Sequence, residues 1–559
     1  MTTRLIETWL PIAEIGLEGL RERTPMTPFP APNRLHVWWA RRPLVASRAA
    51  ILAALLPADA DRERFMRVLG IHGDPVASRR RIDAARRLGE RFEGEAYSYP
   101  RAFRYVPTTE DQEWLRDESA RIGLTSPSLL DPTAGGGSIP FESVRLGLET
   151  FANDLNPVAA QILRSTIDAP LQLGLTVHGA VTELAGRFIA LREERLSPLF
   201  PAEPIPDSIP TNYLWTRTIT CPYCDGLIPL GPNWRLASDG TGVRLLPNTQ
   251  TGQRRCRFEI VNRAKEQSDG TVTGGDAHRR FPDCDHVIDG DEVKRQAQAG
   301  QMGEQLYTVV CKRRTWALTK TGKRREKWIR GYRAPRPDDD CSSLIAERLA
   351  EKMPEWEALD LVPTEASGDL SNYDRGHRMY GMHSWRDLFS PRQLYCHATS
   401  VEVYRELLAA DEAQGTLTEV TKAAFAYLAL SLDKLRDYNS RMTHWHVPRE
   451  VMVNTFDSHN FAFKWSYAEM SPLIVGLGYD WAIDQTAKCI GELVDLVRPD
   501  IDVNLAMSTR SCSAEHSLTR STRRSRTRRS SAARRHPRSW PTRTIGSAWP
   551  PSSPSVGGC

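Results

Sequence analysis

Apolar and polar positions recur at helical spacing over residues 5–20, which predicts an amphipathic helix closed by the proline-rich stretch 24–32. A second helix is predicted to run to about Leu56. Residues 60–125 read as charged amphipathic helices, with Arg79-Arg80-Arg81 and Arg86-Arg87 on solvated faces. The pattern changes at residue 128. Ser128-Leu129-Leu130-Asp131 is a short apolar run closing on an acid, residues 132–137 form a glycine turn, residues 138–148 read as a helix ending near Gly147, and residues 149–154 as a second strand. Strand, glycine turn, helix and strand in that order open a doubly wound parallel sheet. Residues 200–345 show little periodicity and are rich in Gly, Pro, Cys and basic side chains, as expected of an inserted small domain. Helices return over 346–410. Ser390-Pro391-Arg392-Gln393 is a strong helix start, with Ser as cap, Pro in the first turn and Gln three residues on. Two more helices are predicted at 417–440 and 483–497, and the mixed aromatic and β-branched stretch 451–475 reads as strand-rich.

Composition adds the class of protein. With 559 residues, 40 % hydrophobic and 26 % charged, the chain is expected to be soluble, globular and divided among several domains. Glu7 and Glu14 interrupt the first apolar run, so no signal peptide is expected, and the run 49–56 is too short to span a bilayer. Ten cysteines in this length do not make a secreted disulfide framework. The expected compartment is the cytoplasm, with no membrane partner.

Charge splits the chain. Residues 508–559 carry eleven Arg and one Glu, a net +10, while the whole chain is only +5, leaving the remainder at −5. A basic tail of this kind reads either as natural disorder or as GC-rich coding sequence read out of frame. Either way, the basic pI does not describe the folded part.

The chemistry centres on Asp131-Pro132-Thr133-Ala134-Gly135-Gly136-Gly137-Ser138. It fits neither a dinucleotide fingerprint, since Pro140 stands where the third glycine belongs, nor a phosphate loop, which needs Gly-Lys-Ser/Thr. A second acid, Asp154, follows at a strand end, with Asn156-Pro157 behind it. An acid placed there accepts both ribose hydroxyls of a nucleoside. Loop plus acid is the S-adenosylmethionine pattern; a tight structural turn is the plainer alternative.

These stretches, with Trp38-Trp39-Ala40-Arg41-Arg42-Pro43-Leu44, Leu388-Phe389-Ser390-Pro391-Arg392-Gln393-Leu394 and Asp437-Tyr438-Asn439-Ser440, resemble the zinc-ribbon-containing adenine-specific DNA methylase family. That family carries an N-terminal domain of unknown function and occurs in bacterial anti-phage gene clusters. The resemblance covers most of residues 1–500. It implies an α/β chain with an incomplete Rossmann-like class I methyltransferase sheet, an inserted zinc-ribbon-like subdomain and helical segments. It also implies S-adenosylmethionine bound by Asp131, Pro132, Ala134, Gly135, Gly137, Asp154 and Asn156, and DNA, with other defence-system subunits, as partners. The family's Asp/Asn-Pro-Pro-Tyr/Phe motif, which grips the target amino group and stacks on the flipped base, does not occur in this sequence. Where it is expected, the codons of Ser525-Arg526-Thr527-Arg528-Arg529-Ser530 read one nucleotide earlier permit Val-Thr-Asp-Pro-Pro-Phe. A frameshifted methylase without its catalytic motif is therefore expected.

The cysteines form one and a half knuckles. Cys221-Pro222-Tyr223-Cys224 is complete; Phe281-Pro282-Asp283-Cys284 has the same frame with Phe in place of the first Cys. Cys221, Cys224 and Cys284 are the candidate zinc ligands, with Cys256, His278 or His286 as possible replacements for the fourth. Cys311, Cys341, Cys396 and Cys489 stand alone. Lys312-Arg313-Arg314-Thr315-Trp316 and Lys323-Arg324-Arg325-Glu326-Lys327-Trp328 interleave basic residues with Trp, which suits a phosphate backbone or simply a solvated hairpin face.

The expected organisation is thus an N-terminal methylase-associated region (1–60), a helical region (61–127), the cofactor-binding α/β core (128–200), the inserted basic subdomain (201–345), a return to the core (346–507) and the Arg/Ser-rich tail (508–559). The expected activity is DNA adenine-N6 methylation, lost in this chain. A non-catalytic DNA-binding or defence-complex subunit and an RNA methyltransferase are the alternatives.

Overall fold

The computed structural model describes residues 3–24, 29–90, 92, 95–250, 252–278, 280–318, 322–368, 376–457, 461–473, 478–497 and 505–508. The tail beyond Ser508, with the segment that could hide a catalytic motif, lies outside the described residues.

The N-terminal part is helical: Ile12–Glu22, Leu44–Leu55, Arg62–Leu69, Pro75–Arg87 and Thr109–Arg121. Local chemistry sets the ends. Asp61 and Asp74 accept hydrogen bonds from first-turn amides, Thr108 and Asp111 make a reciprocal capping box, and Gly70 closes Arg62–Leu69 in the left-handed region at φ +83°. Leu5, Val45, Leu52, Phe65, Val68 and Leu115 fuse these helices into one core, which also takes in Leu146 and Leu148 of the next unit.

That next unit begins with β1 (Ser128–Asp131) and β2 (Glu149–Asn153), parallel and paired Leu130 to Phe151, connected through the helix Ser138–Arg145. The helix stops at Leu146, with Gly147 at φ +75° behind it. A buried charge network locks it to the N-terminal helices. Glu142 accepts from Arg48 Nε at 2.6 Å and from Arg145 Nη1, and all three side chains are fully buried.

The insert is far more regular than its sequence suggests. It holds β3 (Ser208–Thr220), β4 (Leu227–Leu230), β5 (Gly242–Pro247), β6 (Cys256–Val261), β7 (Val272–Thr273), β8 (Asp276–Ala277), β9 (Gly303–Leu318) and β10 (Arg324–Arg333). After it come the helices Pro391–Ala413 and Glu419–Tyr438, the short pair β11 (His444–His446) and β12 (Val451–Val453), then β13 (Ser466–Met470), the helix Tyr479–Val497 and β14 (Leu505–Ser508). The largest sheet is antiparallel in order β10-β9-β3-β13, with β4 also paired to β3, so the returning chain supplies a strand to the insert's sheet. The predicted start at Ser390 holds: Ser390 Oγ accepts from the Gln393 amide and Gln393 Oε1 from the Ser390 amide.

The chain is a mixed α/β protein. A doubly wound sheet is expected from sequence; the described residues hold three parallel strands, in order β1-β2-β14, too few to make a Rossmann fold, beside the larger antiparallel sheet. Helices Thr176–Leu196, Glu419–Tyr438 and Tyr479–Val497 pack beside them around Phe141, Val144, Phe188, Leu428 and Leu493. Among the described residues, no helix is long and apolar enough to cross a membrane.

Candidate functional site

The seven predicted cofactor residues gather at the C-terminal ends of β1 and β2. Asp131 ends β1 and accepts the Thr133 amide at 3.2 Å. Burial raises its pKa, and Asp154 raises it further. The chain then crosses Pro132 and Ala134, whose amide binds Asn153 O at 3.0 Å, and turns through Gly135 at φ +54° and Gly137 at φ +77°. A side chain at Gly137 would meet the Leu163 Cδ2 methyl at 2.8 Å and displace it, and the positive φ there favours glycine. Asp154 holds the turn: one oxygen accepts the Gly135 amide at 2.8 Å, the other the Asn156 amide at 2.8 Å. Asn156 then caps the helix Pro157–Leu163 through the Val158 amide at 2.9 Å.

The turn is roofed by the Trp38–Arg42 segment. The Trp38 ring lies where a side chain on Gly135 would be, 2.7 Å from that Cβ position, and the Arg41 guanidinium stands 3.0 Å from the corresponding position on Gly136. Ser138 Oγ donates to Arg42 O at 2.8 Å and pins the two segments together. Arg41 is 7 % exposed, yet its Nε and Nη1 have no hydrogen-bond partner among the described residues. Burial pushes its pKa down to about 10, against the pull of Glu22. A buried guanidinium with two idle donors is costly unless an anion completes it.

Sequence reasoning assigned no chemistry to two side chains next to this roof, the half-buried His36, whose Nε2 lies 3.4 Å from Asp433 Oδ2, and the buried Asp437. His36 is held near pKa 4 by burial, and burial lifts the Asp437 carboxyl to about 6 even though it accepts the Phe456 amide and Asn454 Nδ2. Trp39 packs edge-on against Phe456. The available signal was weak, since Asp437 is one of several charged residues, with Asp433, Lys434 and Arg436, at the end of the helix Glu419–Tyr438.

The second candidate is the thiol cluster. Cys221 follows β3, Cys224 lies in the turn before β4, and Cys284 comes from the half-knuckle; their sulfurs lie within 4.8 Å of one another. Cys221 Sγ and Cys284 Sγ are 3.8 Å apart, about the spacing of two thiolates on one tetrahedral zinc ion with bonds of about 2.3 Å. This group can hold a metal. The fourth place does not supply a ligand. Phe281 is 2 % exposed, belongs to the same apolar cluster as Cys221 and Cys284, and presses its ring onto Gly226, where a Cβ would sit 2.2 Å away. Arg254 covers that ring at 5.2 Å. None of the candidate replacements joins the cluster: Cys256 begins β6 and packs in a separate core with Leu214, Trp234 and Val310, the amide of His278 binds Thr271 O, and His286 stacks on Tyr223 at 4.0 Å.

Residues 9–69, which include Trp38 to Arg42, match the family described as a protein of unknown function (DUF1156). Neither a curated protein nor a solved structure matches the chain.

Proposed function

We propose that the chain is the cofactor-binding scaffold of an S-adenosylmethionine-dependent DNA amino-methyltransferase, adenine-directed, acting in the cytoplasm of a bacterium within a modification or anti-phage system, with β1, β2 and β14 as part of a Rossmann-like sheet. The observation that carries this reading is the buried Arg41 guanidinium with idle donors above a glycine turn between parallel strands, with an acid at the end of the second strand. Arg41 would receive the cofactor's carboxylate. Asp154 would take the ribose hydroxyls on lone pairs its two amide donors leave free, and the side-chain-free Gly135-Gly136 backbone lets Trp38 and Arg41 stand close above the turn. Trp38 and Leu163 would exclude water. When bound, the cofactor supplies a sulfonium methyl group. No Asp/Asn-Pro-Pro-Tyr/Phe segment is present to grip a target base, so cofactor binding without methyl transfer is expected. A zinc ion, held by Cys221, Cys224 and Cys284 alone, would be bound more weakly than by four thiolates.

Equilibrium dialysis with labelled S-adenosylmethionine tests this. Losing a charge-assisted pair costs about 1.5–3 kcal/mol, so Arg41→Leu is expected to weaken binding about 10–100-fold, with Asp154→Asn also weakening it. Cofactor affinity unchanged in both folded variants would overturn the assignment. A second reading, a non-catalytic nucleic-acid-binding subunit, is favoured by the basic β9–β10 hairpin with its exposed Trp316 and Trp328.

A further inference from the structure

We infer that the β9–β10 hairpin is an arm that enters the major groove of double-stranded nucleic acid. The inference deepens the substrate half of the function proposed above and stands apart from the cofactor half. β3 pairs β9 only as far as Arg313, opposite Ser208. The Arg314 amide still bonds Asp207 O at 2.7 Å; beyond it β9 is paired by β10 alone, so residues 315–318 and 324–327 form a two-stranded ribbon. The register sorts its side chains. Lys312, Arg314, Trp316 and Leu318 face the same way as their partners Arg330, Trp328, Glu326 and Arg324. Arg313, Thr315 and Ala317, opposite Ile329, Lys327 and Arg325, take the other face.

Two properties of this ribbon need a partner. Trp316 is 58 % exposed and Trp328 41 %, an apolar surface a solitary hairpin does not bury. Seven basic residues stand against the single acid Glu326 over 312–318 and 324–330, on a chain whose remainder outside the tail is acidic. Arg314 and Arg330, near the base, pair with Asp207 and Glu450. Arg313, Arg325 and Lys327 have no ion-pair partner among the described residues and share one face.

The arrangement selects among anionic partners. A bilayer surface calls for apolar residues on one face and cations on the other; here Trp and Arg share a face and cations occupy both. A single strand offers one phosphate track. Cations on both faces of a thin ribbon suit two phosphate walls, and the major groove, about 12 Å wide and about 8.5 Å deep, admits a two-stranded ribbon. Four residues of free strand reach about 13 Å, enough to enter it.

The test is fluorescence anisotropy of a labelled mixed-sequence duplex with the full chain, over a salt series and without cofactor. Combined Arg313→Ala, Arg325→Ala and Lys327→Ala is expected to weaken binding about tenfold or more and to flatten the slope of log affinity on log salt by about 2–3. Trp316→Ala with Trp328→Ala is expected to weaken binding with the slope unchanged. Circular dichroism and thermal melting confirm that the variants fold. An unchanged duplex affinity and slope in the triple variant overturns the inference. So does tighter binding to the single strand with the Trp pair carrying the loss, or binding to anionic vesicles and not to duplex. Because no cofactor is present, failure of S-adenosylmethionine binding leaves this result intact, and the reverse also holds.

Discussion

Glu142→Gln probes the joint between the N-terminal helices and the glycine-turn unit. Glu142 is hydrogen-bonded to two fully buried cations, accepting from Arg48 Nε at 2.6 Å and from Arg145 Nη1, while buried Glu22 adds a weaker pull on Arg145. Gln keeps the shape but removes the charge and turns an NH2 group towards one guanidinium. Breaking a buried ion pair by removing one partner costs about 3–5 kcal/mol, because the surviving charge is left uncompensated. Here two cations survive, so the upper end, about 5 kcal/mol, is expected. At about 2–4 °C per kcal/mol for a large domain, the melting transition should fall by about 10–20 °C. Replacing all three residues with apolar ones removes the stranded charges but orphans the carbonyls they serve. Arg145 donates to Tyr105 O at 2.6 Å and Phe103 O at 3.1 Å, and Arg48 to Val68 O at 3.3 Å. Each lost partner costs about 1–3 kcal/mol, so the triple variant should melt low as well, though above Glu142→Gln only if the charge term exceeds the carbonyl term. Differential scanning fluorimetry with circular dichroism reads both. A Glu142→Gln shift of less than about 3 °C would refute the view that this network carries the joint.

Two further outcomes follow from the thiol cluster and the buried imidazoles. Phe281→Cys restores a fourth thiol beside Cys221, Cys224 and Cys284, and is expected to raise zinc affinity at least about tenfold in a chelator competition; an unchanged affinity means that another group already completes the site. His397 bonds the Asn439 carbonyl through Nε2 at 2.9 Å, and burial holds its pKa near 4, below the ordinary 6.5. The folded state therefore binds fewer protons than the unfolded state between pH 6.5 and 4. This histidine's contribution is full above that window and is lost as pH falls through it, by up to about 1.4 kcal/mol per pH unit. His397→Gln should flatten the dependence of urea midpoint on pH between 6.5 and 4; an unchanged slope would show that other groups dominate.

What was legible in the sequence is what local chemistry dictates. Ser390 and Gln393 specify their helix start within four residues, and the reciprocal bonds form as read. The glycine turn was legible because φ +54° at Gly135 and φ +77° at Gly137 suit few other residues. The insert was not, because its strands are defined by distant partners. β3 pairs β9 almost a hundred residues on and β13 some two hundred and fifty residues on, and bulges at Pro210/Asn212 and Leu214/Trp215 blur the alternation that marks a strand. Arg41 was visible as one of a pair of arginines. Its burial, which turns a surface cation into a candidate anion receptor, comes from Trp38 and the turn beneath it, some ninety residues away in sequence.

The size of the parallel sheet is a different kind of question, and Leu130 poses it. A parallel sheet is normally covered on both faces, so its strands read as continuous apolar runs. Ser128-Leu129-Leu130-Asp131 does so only briefly, and the strand pairs on one side only among the described residues, with β2. Leu130 is 68 % exposed, although it sits opposite Phe151 in the register. The helix Ser138–Arg145 covers the opposite face, where Ser143 bonds Thr150, so the solvent access is on the sheet face that carries Leu130 and Phe151. Exposed leucine on a short parallel edge is poor protection against association. The neighbouring turn is tightly held by Asp154 and roofed by Trp38 and Arg41. The rigid part of the candidate site is therefore the turn, and its open part is the strand that leads into it. Any substrate or chain segment that reaches the turn from the β1 side meets apolar surface first and Asp131, with its raised pKa, second.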